Sequence, residues 1–138
     1  MPIALQVLIA ARALDKAAKR VFAPHGLSPA QFNVLHLLSD QKLGMRASDL
    51  ARALIVDPSN VTGLLKRMSK DGLVNDLENK GDQRQRIVGL TAKGRTIWSK
   101  ARGDYERGLR KLDAAFKTHE RATAEYVLAS LVEKSHAL

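Results

Sequence analysis

Residues 57–74, DPSNVTGLLKRMSKDGLV, combine the signals of a helix start, a buried helix face and a helix end. Asp57 is a good N-cap, Pro58 is favoured at the first helical position, and Gly72 suits a left-handed C-cap. No acidic residue lies between Asp57 and Asp71. Apolar residues recur at three- and four-residue steps and predict one buried face; they are Val61, Leu64, Leu65 and Met68.

The outward side of this predicted helix has residue types that suit a DNA groove. Ser, Asn and Thr can bond base edges, Arg and Lys can contact guanine or phosphate, and the first backbone N–H groups favour phosphate. A plain amphipathic helix with a solvated polar face is the alternative. At about 100° per residue, the outward and flanking positions are Ser59, Asn60, Thr62, Gly63, Lys66, Arg67 and Lys70.

The neighbouring segments predict a winged helix-turn-helix. Ser28 is placed to cap a helix that carries Phe32, Leu35 and Leu38 on its core face, and RASDLARALIV predicts a further short helix. After Gly72 the pattern changes to two short strands around the turn in ENKGDQRQ. A polar hairpin of this size has too little core to be a domain alone. We therefore expect it to be a wing attached to the preceding helices.

Both ends of the chain predict helices whose apolar residues need a partner. Residues 3–22 repeat apolar positions four and three apart, and the first turns are apolar nearly all round. Thr91 is predicted to cap a helix that runs to about Phe116, roughly 37 Å long. Thr118 is predicted to cap a last helix. The core of one small chain cannot cover these helices, so the pattern predicts a homodimer.

Charge supports a polyanionic partner. The 138 residues include 23 Lys and Arg against 14 Asp and Glu, a formal net charge of +9. The middle of the chain, residues 42–95, carries 11 basic and 6 acidic residues. Such a surplus favours nucleic acid or an acidic membrane, with a well-solvated surface as the alternative. Only 4% of the residues are aromatic, which disfavours the stacking platform of a single-strand binder.

Several function classes find no support in the sequence. The absence of cysteine removes disulfides and thiolate catalysis and argues against structural zinc. His25, His36, His119 and His136 have no metal-ligand spacing, and we expect no metal or cofactor. No triad, phosphate loop or carboxylate pair indicates an enzyme. The apolar start meets Arg12 too early for a membrane span, so we expect a cytoplasmic protein.

Three segments together resemble the multiple-antibiotic-resistance-regulator (MarR) family of bacterial transcription factors, and the resemblance covers residues 28–95; the segments are LSPAQFNVLHLL, ASDLARALIVDPSNVTGLLKRMSKDGLV and GDQRQRIVGLTAKG. The resemblance implies a mainly α fold with a small β-hairpin wing. It also implies a homodimer that reads a pseudo-palindromic operator in double-stranded DNA. The expected organisation is a dimerisation helix in 1–27, the DNA-binding lobe in 28–91, and long and dimerisation helices in 92–138.

By this resemblance, the recognition helix carries Ser59, Asn60, Thr62, Lys66 and Arg67. The wing-tip pair is Asp82 and Arg84, with the Arg in a minor groove, where the negative potential is concentrated. We also assign Arg86, near the wing tip, to DNA binding. Two positions depart from the family pattern and lower the positive charge of the wing. They are Asp76, where the family commonly has Arg, and Gln83, which replaces a frequent basic residue.

The resemblance further implies a small aromatic or anionic effector between the dimer helices and the DNA-binding lobe. His36 is the candidate to line that cavity, and its position predicts a half-buried packing residue. The expected function is therefore a ligand-responsive transcriptional regulator, most often a repressor in this family. The alternatives are a winged-helix protein-interaction module and a protein that binds nucleic acid without sequence preference.

Overall fold

The computed structural model describes residues 1–54, 58–77 and 86–138, with the side chains of 58 and 59 left aside. Helices dominate, as predicted, and a small antiparallel sheet combines a short strand before the third α-helix with a hairpin between the fourth and the fifth. In chain order the elements are α1 Ile3–Phe22, a 3₁₀ helix Ala23–His25, α2 Pro29–Leu38, β1 Met45–Arg46, α3 Ala47–Leu54, α4 Pro58–Lys70, β2 Val74–Leu77, β3 Ile87–Leu90, α5 Ala92–Ala114 and α6 Thr118–Ser135.

The described part of the chain has a three-stranded sheet in the order β1-β3-β2. The predicted hairpin of β2 and β3 is confirmed, with Val74 opposite Leu90 and Leu77 opposite Ile87. Strand β1 was not predicted. It has only two residues, and Met45 pairs with Val88. A pair of residues is too short to show the period-2 alternation that identifies a strand in a sequence.

Helix caps explain where α2 and α5 begin. The Ser28 hydroxyl accepts from Gln31 N–H at 3.1 Å, and the Gln31 side chain accepts from Ser28 N–H at 2.9 Å, which is a capping box. Thr91 caps α5 as predicted. The predicted cap at Thr118 is wrong, because Lys117 precedes the first turn of α6 and its N–H donates to the Glu120 carboxylate at 2.8 Å.

The buried core lies within the lobe and against the first half of α5. Leu35, Leu50, Leu65, Met68 and Val88 are completely buried there. From the terminal helices the core takes in Phe22 of α1 and Ala101 of α5, while no residue of α6 is buried. The described residues thus form one hydrophobic core, which holds α4 and the base of the wing together.

The terminal helices expose the apolar residues that were predicted to need a partner. Leu8 of α1 is 64% exposed, Leu112 of α5 is 43% exposed, and Val132 of α6 is 69% exposed. An apolar groove of about 720 Å³ runs between α1, the end of α5 and α6, with Leu14, Phe116 and Leu128 among its lining residues. Within the described ranges, no helix has an apolar stretch long enough to cross a membrane.

Candidate nucleic-acid interface

One apolar face anchors α4 in the lobe. Val61 is 2% exposed, Leu64 is 8% exposed, and Leu65 and Met68 are fully buried, so the predicted core face is confirmed. Ala51 of α3 is also buried and lies in the same core. A small side chain at this position lets two helices approach closely. The opposite face of α4 is consequently directed away from the lobe.

The outward face of α4 carries most of the predicted DNA-binding residues. Asn60, Thr62, Lys66, Arg67 and Lys70 are exposed, and Gly63 is half-buried. The Ser59 side chain and the predicted cap Asp57 lie outside the described residues. No acidic residue occurs within α4. The structure therefore places small polar residues at the start of this face and cations along the rest of it.

Arg67 folds back along the helix toward its N-terminus. A Cβ built on Gly63 would lie 3.7 Å from Arg67 Nη1, so the guanidinium covers the position where other residues have a side chain. Helical side chains lean toward the N-terminus, which brings positions i and i+4 together. The Arg67 guanidinium therefore lies beside the first turns of α4, where the positive end of the helix dipole also lies.

The end of α4 is joined tightly to α5. Gly72 has φ of 77°, the left-handed conformation that glycine adopts readily, and Leu73 N–H donates to the Met68 carbonyl at 2.9 Å. The Thr91 hydroxyl lies 2.6 Å from the Gly72 carbonyl oxygen and accepts from Gly94 N–H at 2.9 Å. The predicted C-cap at Gly72 is confirmed. A movement of α5 would be transmitted to α4 through these contacts.

The base of the wing contains an ion pair that the sequence did not indicate. Arg86 Nε donates to Asp76 Oδ1 at 2.5 Å, and the Arg86 carbonyl accepts from Ala47 N–H at 3.0 Å. The Asp76 carboxylate is therefore neutralised by Arg86, which directly precedes β3. The predicted wing-tip residues Asp82 and Arg84, together with Gln83, lie outside the described residues.

A second group of side chains joins α2 to α5. His36 is exposed, so the prediction of a half-buried residue is wrong; one face of its ring stacks on Phe32 and the rest lies at the surface. Trp98 Nε1–H donates to His36 Nδ1 at 3.1 Å, and the Arg102 guanidinium lies 4.8 Å from the Trp98 ring centroid. Trp98 and Tyr105 are partly buried, and both pack against the core. Arg102 was missed because a single exposed cation on a long helix has no sequence signature.

A third contact joins the 3₁₀ helix that precedes α2 to α5. His25 Nε2 lies 2.6 Å from Asp104 Oδ2. The hydrogen bond from His25 lowers the pKa of Asp104 below its usual value, with the nearby Arg107 acting in the same direction. The partners are 79 residues apart, so no local pattern could reveal the pair. Among the described residues, no three His, Asp or Glu side chains are grouped as a metal site would require.

Sequence comparison relates the chain to transcriptional regulators. The profile of the MarR family matches residues 27–85. The homoprotocatechuate degradative operon repressor of Escherichia coli is 32% identical over 122 residues, which cover 85% of this chain and 81% of that protein. The transcriptional activatory protein BadR of Rhodopseudomonas palustris is 40% identical over 90 residues, which cover 64% of this chain but only 51% of BadR.

Structure comparison gives the same architecture. The Mycobacterium tuberculosis transcriptional regulator MosR, crystallised with DNA, superposes with a TM-score of 0.77 at 27% identity, and the match covers 100% of both chains. NadR, crystallised with 4-hydroxyphenylacetate, superposes with a TM-score of 0.74 at 22% identity, over 95% of this chain and 92% of that one. The similarity to NadR concerns the fold.

Proposed function

This chain belongs to the MarR family of transcriptional regulators, and on that premise we propose that it acts as a homodimer that binds a pseudo-palindromic operator in double-stranded DNA. We propose repression as the mode of regulation. The support is that the E. coli repressor aligns along most of both chains, whereas the alignment with the activator BadR covers only 51% of that protein.

The observation that carries this proposal is the division of α4 into a buried apolar face and a basic outward face. Four apolar residues hold the helix in the lobe, and the opposite face combines exposed Asn60 with the cations Lys66, Arg67 and Lys70. Small residues near the N-terminus let the helix enter a major groove, where Asn and Arg can bond base edges. Lys side chains and the first backbone N–H groups would contact phosphates.

A dimer supplies the second half of the binding site. The apolar residues left exposed on α1, α5 and α6, and the groove between these helices, are the surface that a second copy would cover. A two-fold dimer would present two α4 helices to half-sites about 10 bp apart on one side of the duplex. The wings would then reach the flanking minor grooves, where the predicted Arg84 is attracted by negative potential.

The proposal is tested by mobility shifts on the promoter region that adjoins the gene, at several salt concentrations and with competitor DNA. We expect a preference for one duplex, together with a two-chain mass in light scattering. Equal affinity for all duplexes would support a non-specific nucleic-acid binder instead. No duplex binding at all would support a protein-interaction module. Either result would refute the proposed function.

We also propose that a small aromatic anion is the effector and that it binds beside His36, Trp98 and Arg102. These side chains offer two π-faces and a guanidinium between α2 and α5. A ligand there would shift α2 against α5. The hydrogen bonds of Thr91 with Gly72 and Gly94 would transmit this shift to the end of α4. The two α4 helices would then no longer match their half-sites, and the DNA would be released.

Trp98 makes the effector proposal directly measurable, because it is the single tryptophan of the chain. 4-Hydroxyphenylacetate, the molecule in the NadR complex, is the first probe to titrate while tryptophan fluorescence is recorded. Arg102→Ala should weaken the response, whereas Arg110→Ala, on the same helix without an ion pair in the described structure, should leave it unchanged. The same loss in both variants would contradict a specific role for Arg102.

We propose no catalytic activity for the chain and place its action on cytoplasmic DNA, because its relatives are transcriptional regulators.

A further inference from the structure

The ion pair between Asp76 and Arg86 lies on a defined side of the sheet. Asp76 is directly opposite Val88, and Arg86 precedes Val88 by two residues. Side chains at opposed positions, and at alternate positions along one strand, share a face. Asp76 and Arg86 therefore share the face of buried Val74 and Val88, which packs against the helices. The pair continues that face beyond the core, toward the tip of the wing.

Arg86 is held at both its backbone and its side chain. Its carbonyl accepts from Ala47 N–H at the first residue of α3, and its Nε donates to Asp76. An arginine side chain has five N–H donors, and the bond to Asp76 uses the one on Nε. Within the described part of the chain, the two terminal nitrogens have no protein acceptor. These nitrogens are the edge of the guanidinium that matches a phosphate in a bidentate contact.

Charge alone predicts that Asp76 weakens DNA binding. Its side chain is 61% exposed at the base of the wing, and a carboxylate near a polyanion should weaken binding. A positioning role predicts the reverse, because the carboxylate selects one orientation of a long flexible side chain before DNA arrives. Pre-ordering a side chain removes part of the entropic cost of binding. The two explanations therefore predict opposite signs for the loss of the Asp76 charge.

We propose that Asp76 is a positioning residue for DNA binding, which orients Arg86 toward a backbone phosphate at the base of the wing. This inference rests on the proposed function, since it requires that the protein bind duplex DNA. The contact is to phosphate, so it should strengthen binding on all sequences and should not select bases.

The test compares Asp76→Asn with Asp71→Asn on the operator duplex across a salt series. Asp71 is exposed at the end of α4, and its carboxylate makes no ion pair within the described residues, so it controls for the loss of one negative charge. Asp71→Asn should bind as tightly as the wild type or more tightly. Asp76→Asn should bind roughly three- to tenfold more weakly. The slope of log K against log salt should fall by up to about 0.9, one phosphate contact.

A double-mutant cycle separates positioning from a general structural effect. In the Arg86→Ala background, Asp76→Asn should no longer weaken binding, and Asp76→Glu should recover part of the affinity in the presence of Arg86. Tighter binding by Asp76→Asn, or equal weakening with and without Arg86, would overturn the inference while leaving the proposed function intact. Wild-type protein without any duplex preference would refute the proposed function and this inference together. Thermal unfolding of each variant checks that the fold is retained.

Discussion

Gly94 lies in the first turn of α5, at the joint between that helix and the end of α4. A Cβ built on it would be 2.1 Å from the Leu73 carbonyl oxygen and 2.9 Å from Leu90 Cδ1. Heavy atoms that are not bonded normally approach to about 3.5 Å. Gly94→Ala therefore requires α5 to move away from the Leu73 backbone by more than about 1 Å.

Such a movement would also break the hydrogen bonds of the joint. The Thr91 hydroxyl lies 2.6 Å from the Gly72 carbonyl oxygen and 3.0 Å from that of Leu73, and a shift of about 1 Å exceeds the range of a hydrogen bond. Overpacking costs about 1–3 kcal/mol and each lost hydrogen bond about 1 kcal/mol. We expect the free energy of unfolding to fall by about 2–4 kcal/mol. The corresponding decrease in Tm is roughly 6–16 °C for a chain of this length.

The matched control is Gly103→Ala on the same helix. A Cβ there would meet only the flexible end of the Arg107 side chain, at 3.5 Å. Because alanine is the better helix former, the free energy of unfolding of this variant should rise by about 0.5–1 kcal/mol. Thermal and urea unfolding followed by circular dichroism would measure both variants. Protein concentrations must be equal, since the stability of a dimer depends on concentration. If Gly94→Ala is as stable as the wild type, or if both variants change the free energy of unfolding in the same direction, the close contact between α5 and Leu73 does not limit the residue at position 94.

Three further predictions follow from the lobe and its contacts. Leu65→Ala, at a fully buried position of α4, should lower the free energy of unfolding by about 2–5 kcal/mol in urea titrations, and a smaller loss would mean that the core collapses around the cavity. Arg67→Ala and Arg84→Ala should each reduce the salt slope of DNA binding by about 0.9, and only Arg67→Ala should also relax base preference; an equal loss on all sequences would make Arg67 a phosphate contact. Because the folded-state pKa of Asp104 is lowered, its carboxylate stabilises the fold above its unfolded pKa, and this contribution is lost as pH falls through the folded value. The difference in urea stability between the wild type and Asp104→Asn should therefore decrease as pH falls through the acidic titration of this carboxylate, and a difference that is constant with pH would contradict the assignment.

Features that depend on near neighbours in the chain were predicted correctly. The apolar spacing of Val61, Leu64, Leu65 and Met68 identified the buried face of α4, and Ser28, Gly72 and Thr91 identified helix ends. These signals are local, because helix periodicity and capping involve residues at most about four positions apart. The basic outward face of α4 follows from the same periodicity.

Local signals failed where an element was short or where two caps competed. Strand β1 has two residues and exists because it pairs with β3, so only the assembled sheet defines it. At the start of α6, the sequence suggested Thr118, but the Glu120 side chain caps the N–H of Lys117 instead. The Glu120 contact is the half of a capping box in which the N3 carboxylate accepts from the N-cap N–H; a Lys side chain has no acceptor for the other half, so the residue type at position 117 gave no signal.

The sequence by itself determined the α-helices, the pairing of the hairpin and the basic outward face of α4, because each depends on spacings of a few residues. The tertiary structure alone decided which charged and aromatic side chains meet. Asp76 and Arg86 are 10 residues apart, His36 and Trp98 are 62 apart, and His25 and Asp104 are 79 apart. Each contact forms only after the core has packed β3 against β2 and α5 against the lobe. The same packing turned Asp76 from an unfavourable charge in the wing into the partner of Arg86.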